Sequence, residues 1–64
     1  MPHIQITLLE GRTPEQKRRI VRRITDTIVE EAGTTAENVS IAFVEVSAAD
    51  FARTGVLALD KQKK

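Results

Sequence analysis

Pro2 is the residue best placed for chemistry in this sequence, because it follows the initiator methionine directly and precedes a run of alternating residues. Methionine is usually removed when the next residue is small or proline, and Pro2 then presents a secondary amine at the chain terminus. An α-amino group has a reference pKa of about 7.7–8.0. Burial or neighbouring cations lower it toward the range of a general base working near neutrality. Such a base needs no side chain. With Met1 still attached, the same nitrogen is a tertiary amide and the base does not exist. Taken alone, Pro2 also fits a residue that merely opens an edge strand.

His3, the single histidine, reads as a strand residue on the polar face, with a second proton carrier or a ligand as the alternative. No cysteine is present, which excludes a disulfide framework and thiolate chemistry. One histidine without clustered partners argues against a structural zinc site.

These residues need elements to hold them. From His3 to Leu9, Ile4, Ile6 and Leu8 fall on one face and Gln5 and Thr7 on the other, which predicts a strand. Glu10-Gly11-Arg12 breaks the alternation with a glycine that can turn. Thr13-Pro14-Glu15-Gln16 then reads as a helix start, with a hydroxyl cap, a proline at the first helical position and a glutamine completing a capping box. Ile20, Val21, Ile24, Ile28 and Ala32 recur as one apolar stripe, so the helix runs from about Pro14 to Ala32 and stops at Gly33. The β-branched run Val39–Val46 predicts a second strand, with Val39, Ile41 and Phe43 on one face. Strand, helix and strand at these lengths form a βαβ unit with parallel strands. In the tail, Asp50-Phe51 and Arg53-Thr54-Gly55 suggest a tight turn, Val56–Leu59 a short apolar segment and Asp60–Lys64 a solvated end. The expected fold class is therefore α+β, a parallel βαβ unit followed by a short hairpin-like C-terminal element, in one domain over residues 1–64.

A chain of 64 residues buries only about 60% of the surface its unfolded form exposes. One helix covers one face of a two-stranded sheet, yet Ala42, Val44 and Val46 on the other side are apolar too. With neither disulfide nor metal to make up the deficit, other copies of the chain must cover that face. The longest apolar run falls far short of the roughly 18 residues that span a bilayer. No signal-peptide pattern is visible, and a cytoplasmic protein is expected.

Pro2, the stretch Ile6-Thr-Leu-Leu-Glu-Gly-Arg12 running into Thr13-Pro-Glu-Gln-Lys17, and Phe51 after the second strand resemble the 4-oxalocrotonate tautomerase family. The resemblance extends from Pro2 to about Leu59. It implies βαβ subunits that assemble, typically as hexamers, with active sites where subunits meet. It further implies a one-base proton shuttle: the proline amine takes a proton from an enol or dienol oxygen and returns it to carbon, without metal or organic cofactor. Arg12 matches the arginine that grips a substrate carboxylate, and Phe51 the aromatic that keeps the pocket apolar. Phe51 on its own also fits a core residue. One departure stands out. The family's second arginine, early in the second strand, is Ser40 here, a neutral and weaker donor. Arg53, two residues after Phe51, is the candidate replacement, against the alternative of a turn arginine in solvent. The implied partner is a small-molecule carboxylate substrate. Related family chemistries, decarboxylation and dehalogenation, use the same amine, and an inactive oligomer that kept the fold is the remaining alternative.

A nucleic-acid or membrane partner is not expected. Lys17, Arg18, Arg19, Arg22 and Arg23 form a local basic run, but ten Lys and Arg are balanced by nine Asp and Glu. Glu15–Arg19 and Arg22–Asp26 have i,i+4 spacing on the helix, and no aromatics interleave for base stacking. The helix also carries its cations early and Glu30 and Glu31 in its last turn, against the macrodipole.

Overall fold

In the computed structural model, which describes residues 1–61, the alternating run forms strand β1 (His3–Leu9) and the capping box opens helix α1 (Pro14–Ala32). The Gln16 N–H donates to Thr13 Oγ1 at 3.1 Å and the Thr13 N–H to Gln16 Oε1 at 2.9 Å. Two of the N–H groups left open by a helix start are thereby satisfied. At the other end Gly33 takes φ 67°, and its N–H donates to the Val29 carbonyl at 3.2 Å. That left-handed conformation is open to glycine at little steric cost.

Strand β2 (Ser40–Val46) pairs parallel with β1, with His3 opposite Ser40 and Leu9 opposite Val46. It begins one residue later than the β-branched run predicts. The Val39 N–H is already spent on the Ala36 carbonyl at 3.2 Å, closing a 3-10 turn over Ala36–Asn38. The register puts Ile4, Ile6 and Leu8 on one face of the sheet with Ile41, Phe43 and Glu45. Lys17 fastens the start of α1 to this face, pairing with Glu45 and lying 5.6 Å from the centre of the Phe43 ring. Glu15 pairs with both Arg18 and Arg19. The expected Arg22–Asp26 pair is not among the ion pairs of the described residues, consistent with how little such an exposed pair gains.

The tail is more ordered than its composition suggests. After a 3-10 turn at Ala48–Asp50, strands β3 (Ala52–Arg53) and β4 (Val56–Leu57) form an antiparallel hairpin. Its two-residue loop is Thr54-Gly55, both with positive φ (52° and 79°), the combination that matches strand twist in tight hairpins. The first half of the apolar segment, Val56 and Leu57, thus pairs within its own chain, and Ala58 and Leu59 turn helical instead. A short helix α2 (Ala58–Lys61) occupies the start of the expected solvated end, whose last residues, 62–64, lie outside the described residues.

None of the described residues is fully buried in a single subunit. The Cα radius of gyration is 15.0 Å, against about 11 Å for a compact chain of this length. The sheet face turned away from α1 carries His3, Gln5, Thr7 and Leu9 from β1 and Ser40, Ala42, Val44 and Val46 from β2. Val44 on that face is 39% exposed. No described helix is long and apolar enough to cross a membrane.

Candidate active site

The parallel sheet has two ends, and the residues singled out for chemistry divide between them. Pro2 and Ser40 are at one end: the Ser40 N–H donates to the Pro2 carbonyl at 3.1 Å, extending the ladder by one rung beyond His3. Pro2 is half-buried, while Met1 ahead of it is 92% exposed. Removing Met1 therefore forfeits almost no packing. The Ser40 side chain is also engaged, with its Oγ 2.7 Å from Nδ1 of His3.

Phe51 and Arg53 are at the other end, beyond the C-terminus of β2. Together with Leu9, Val56, Ala58 and Lys61 they line a cavity of about 260 Å³. The hairpin makes this cavity. Its loop returns Val56 alongside Arg53, and the Ala58 N–H donates to the Phe51 carbonyl at 2.8 Å, which seats α2 against the start of β3. The result is an apolar floor with two cations, Arg53 and Lys61, among its lining residues. A small ligand with an apolar body and an anionic group has matching chemistry.

Arg12 lies outside this cavity. It follows Gly11, whose φ of 122° is closed to residues with a Cβ, in the loop between β1 and α1. There it lines a separate groove of about 270 Å³ with Gln16, Arg19, Ile20 and Arg23. Arg19 and Arg23 are four apart on α1, so the groove concentrates three guanidinium groups, each a planar fork for oxyanions.

Within one subunit these groups cannot act on one small molecule. The seven residues of β1, at about 3.3 Å each, hold Pro2 roughly 20 Å or more from the loop that carries Arg12. Sequence spacing set Phe51 and Arg53 only two residues apart, and it is the hairpin that places both on one cavity. It missed Leu9 and Lys61 as cavity residues and the contact of His3 with Ser40. A signal for that contact was present, since placing the two strands in parallel register sets these residues opposite each other. Among the described residues, no group of three or more His, Asp or Glu side chains is gathered as a metal site.

A family model described as Tautomerase enzyme matches residues 2–61. The 2-hydroxymuconate tautomerase of Bacillus subtilis (strain 168) is 40% identical over 45 residues, 70% of this chain and 71% of that protein. Among solved structures, the chain is similar to one from the 4-oxalocrotonate tautomerase isozymes of Methylibium petroleiphilum, with TM-score 0.93, 39% identity and 95% of each chain covered. It is also similar to a chain of a heterohexamer 4-oxalocrotonate tautomerase from Chloroflexus aurantiacus J-10-fl, with TM-score 0.90 and 25% identity over 94% of this chain and 97% of that one.

Proposed function

Since the chain belongs to the family of tautomerase enzymes, we propose that it catalyses enol–keto tautomerisation of a small, 2-hydroxymuconate-like unsaturated 2-oxo acid. Pro2 is the base and then the acid. After Met1 is removed, the neutral Pro2 amine takes the proton from the enol oxygen. The electron pair moves through the conjugated chain, and the resulting ammonium returns the proton to carbon. One group does both steps, so nothing else need be consumed.

The reading also requires an assembly, a homo-oligomer with a hexamer as the expected form, each chain contributing one domain. The β1 length that separates Pro2 from Arg12 is closed when Pro2 of one subunit meets Arg12 of another. Arg12 then grips a substrate carboxylate, and Phe51 walls the carbon skeleton away from water. Arg53 beside it supplies a second cation. The apolar Ala42, Val44 and Val46 on the uncovered sheet face and the lack of any buried residue among the described ones support this arrangement. So does the Chloroflexus relative, which is itself a heterohexamer.

The single observation that carries the reading is the family match over residues 2–61, which includes Pro2, Arg12 and Phe51. Intact mass spectrometry paired with an absorbance assay for 2-hydroxydienoate ketonisation tests it. The expected result is a mass short by one methionine and turnover that collapses in Pro2→Ala. Full turnover in Pro2→Ala would overturn the assignment. A catalytically weak oligomer is the second reading, favoured by the neutral Ser40 where the family resemblance implies a cation.

A further inference from the structure

The mechanism above leaves His3 without a part, although its imidazole is held at the same end of the sheet as Pro2. On the sheet face turned away from α1, the register places His3, Gln5, Thr7, Leu9, Ser40, Ala42, Val44 and Val46. His3 is the one titratable side chain among them. Its Nδ1 stands 2.7 Å from Ser40 Oγ. That is the short end of the hydrogen-bond range, and it fixes the ring on the strand opposite. Nothing else among the described hydrogen bonds or ion pairs engages the other ring nitrogen, Nε2. In the single subunit His3 is exposed, so Nε2 is open to a ligand at this end of the sheet.

We propose that Ser40 and His3 form an orienting pair in which the Ser40 hydroxyl donates to Nδ1, leaving Nε2–H as a fixed donor to the 2-oxygen of the substrate. This deepens the tautomerase reading and rests on it. The chemistry follows from the inventory of the two groups. A neutral imidazole has one donor and one acceptor nitrogen, and a hydroxyl can fill the acceptor. Filling Nδ1 selects the tautomer protonated at Nε2, as second-neighbour hydrogen bonds do for histidines in metal and acid–base sites. Negative charge grows on the 2-oxygen as its proton leaves, and a donor aimed there acts on the transition state more than on bound substrate. His3 thereby provides the donor, and Ser40, where the family resemblance implies an arginine, positions it. Ser40 is a positioning residue here, and His3 the group that touches substrate.

The test uses the mature, assembled protein. Nitrogen-15 NMR of His3 is expected to show the Nε2–H tautomer in the wild type and in Ser40→Thr, which keeps the hydroxyl, and a mixture of tautomers in Ser40→Ala. In the ketonisation assay, His3→Ala is expected to lower kcat by roughly 10- to 100-fold with little change in KM, the pattern of a contact made in the transition state. His3→Gln, whose amide N–H reaches about as far as Nε2, is expected to recover part of that loss. A wild-type ring protonated at Nδ1 overturns the inference. So does a kcat within twofold of wild type in His3→Ala while Pro2→Ala is inactive. Should Pro2→Ala retain full turnover, it is the base assignment that falls, and the tautomer measurement, which needs no turnover, still decides the His3–Ser40 pair.

Discussion

Ser40 holds Pro2 by the backbone and His3 by the side chain: its N–H reaches the Pro2 carbonyl at 3.1 Å and its Oγ stands 2.7 Å from His3 Nδ1. The first residues of the chain are therefore ordered parts of a ladder rather than a loose end. A terminal amine makes a useful base only when it is held, because an unrestrained one spends most of its time elsewhere. The parallel register that brings His3 opposite Ser40 thus places the proposed base.

Blocking the amine should abolish turnover. A form that retains Met1, or carries any uncleaved residue ahead of Pro2, turns the nitrogen into an amide with no basic lone pair. The expected drop in kcat/KM is about 10²-fold or more, the usual share of a general base. Intact mass and dienoate absorbance measured on the same sample check it.

Arg12→Ala should weaken substrate binding. A charge-assisted hydrogen bond contributes about 1.5–3 kcal/mol, so kcat/KM should fall by roughly 10- to 100-fold, chiefly through KM. Arg12→Lys should recover only part of it, since an ammonium lacks the planar fork. Steady-state kinetics on both variants separate the charge from its geometry, and an unchanged KM in Arg12→Ala removes Arg12 from the site.

Arg53 shares the cavity with Phe51 and Leu9, and its removal should cost less than that of Arg12, about tenfold in kcat/KM. Its side chain is exposed in the single subunit, so screening limits what it contributes. The Arg53→Ala variant, measured at two salt concentrations, decides the matter. Unchanged kcat/KM means that Arg53 has no catalytic part.

Assembly and folding should fail together. Val44 lies on the uncovered sheet face and is 39% exposed, so Val44→Glu places a charge where another copy must pack. Sedimentation should show the variant at about the mass of one chain, and circular dichroism should show lost helix at micromolar concentration, because none of the described residues of one subunit is buried to hold it. A folded, helical 7.1 kDa monomer would contradict the assembly argument.

Gly33→Ala should destabilise the helix end. The position has φ 67° with open space around it, so the cost is backbone strain alone, about 1 kcal/mol. That corresponds to a Tm lower by roughly 4–8 °C, read at fixed subunit concentration because assembly raises Tm by mass action.

Local chemistry determined the elements. The hydroxyl, proline and glutamine at 13, 14 and 16 set where α1 begins, and Gly33 where it ends, because capping bonds form within one turn of chain. Alternation set the faces of β1, since the side-chain period of a strand is fixed at two. Pro2, Arg12 and Phe51 stood out through the resemblance of the surrounding sequence to one family, since by type alone Pro2 fits a strand opener and Phe51 a core residue. The tail was harder to read, because a two-residue hairpin and a four-residue helix are too short to carry a period. Only the tertiary structure decided which residues keep company. It put Pro2, His3 and Ser40 at one end of the sheet, Phe51 and Arg53 in a cavity at the other, and Arg12 in a groove of its own. Those neighbours come from strand register and chain return, which depend on contacts between residues far apart in sequence, and no local spacing specifies them.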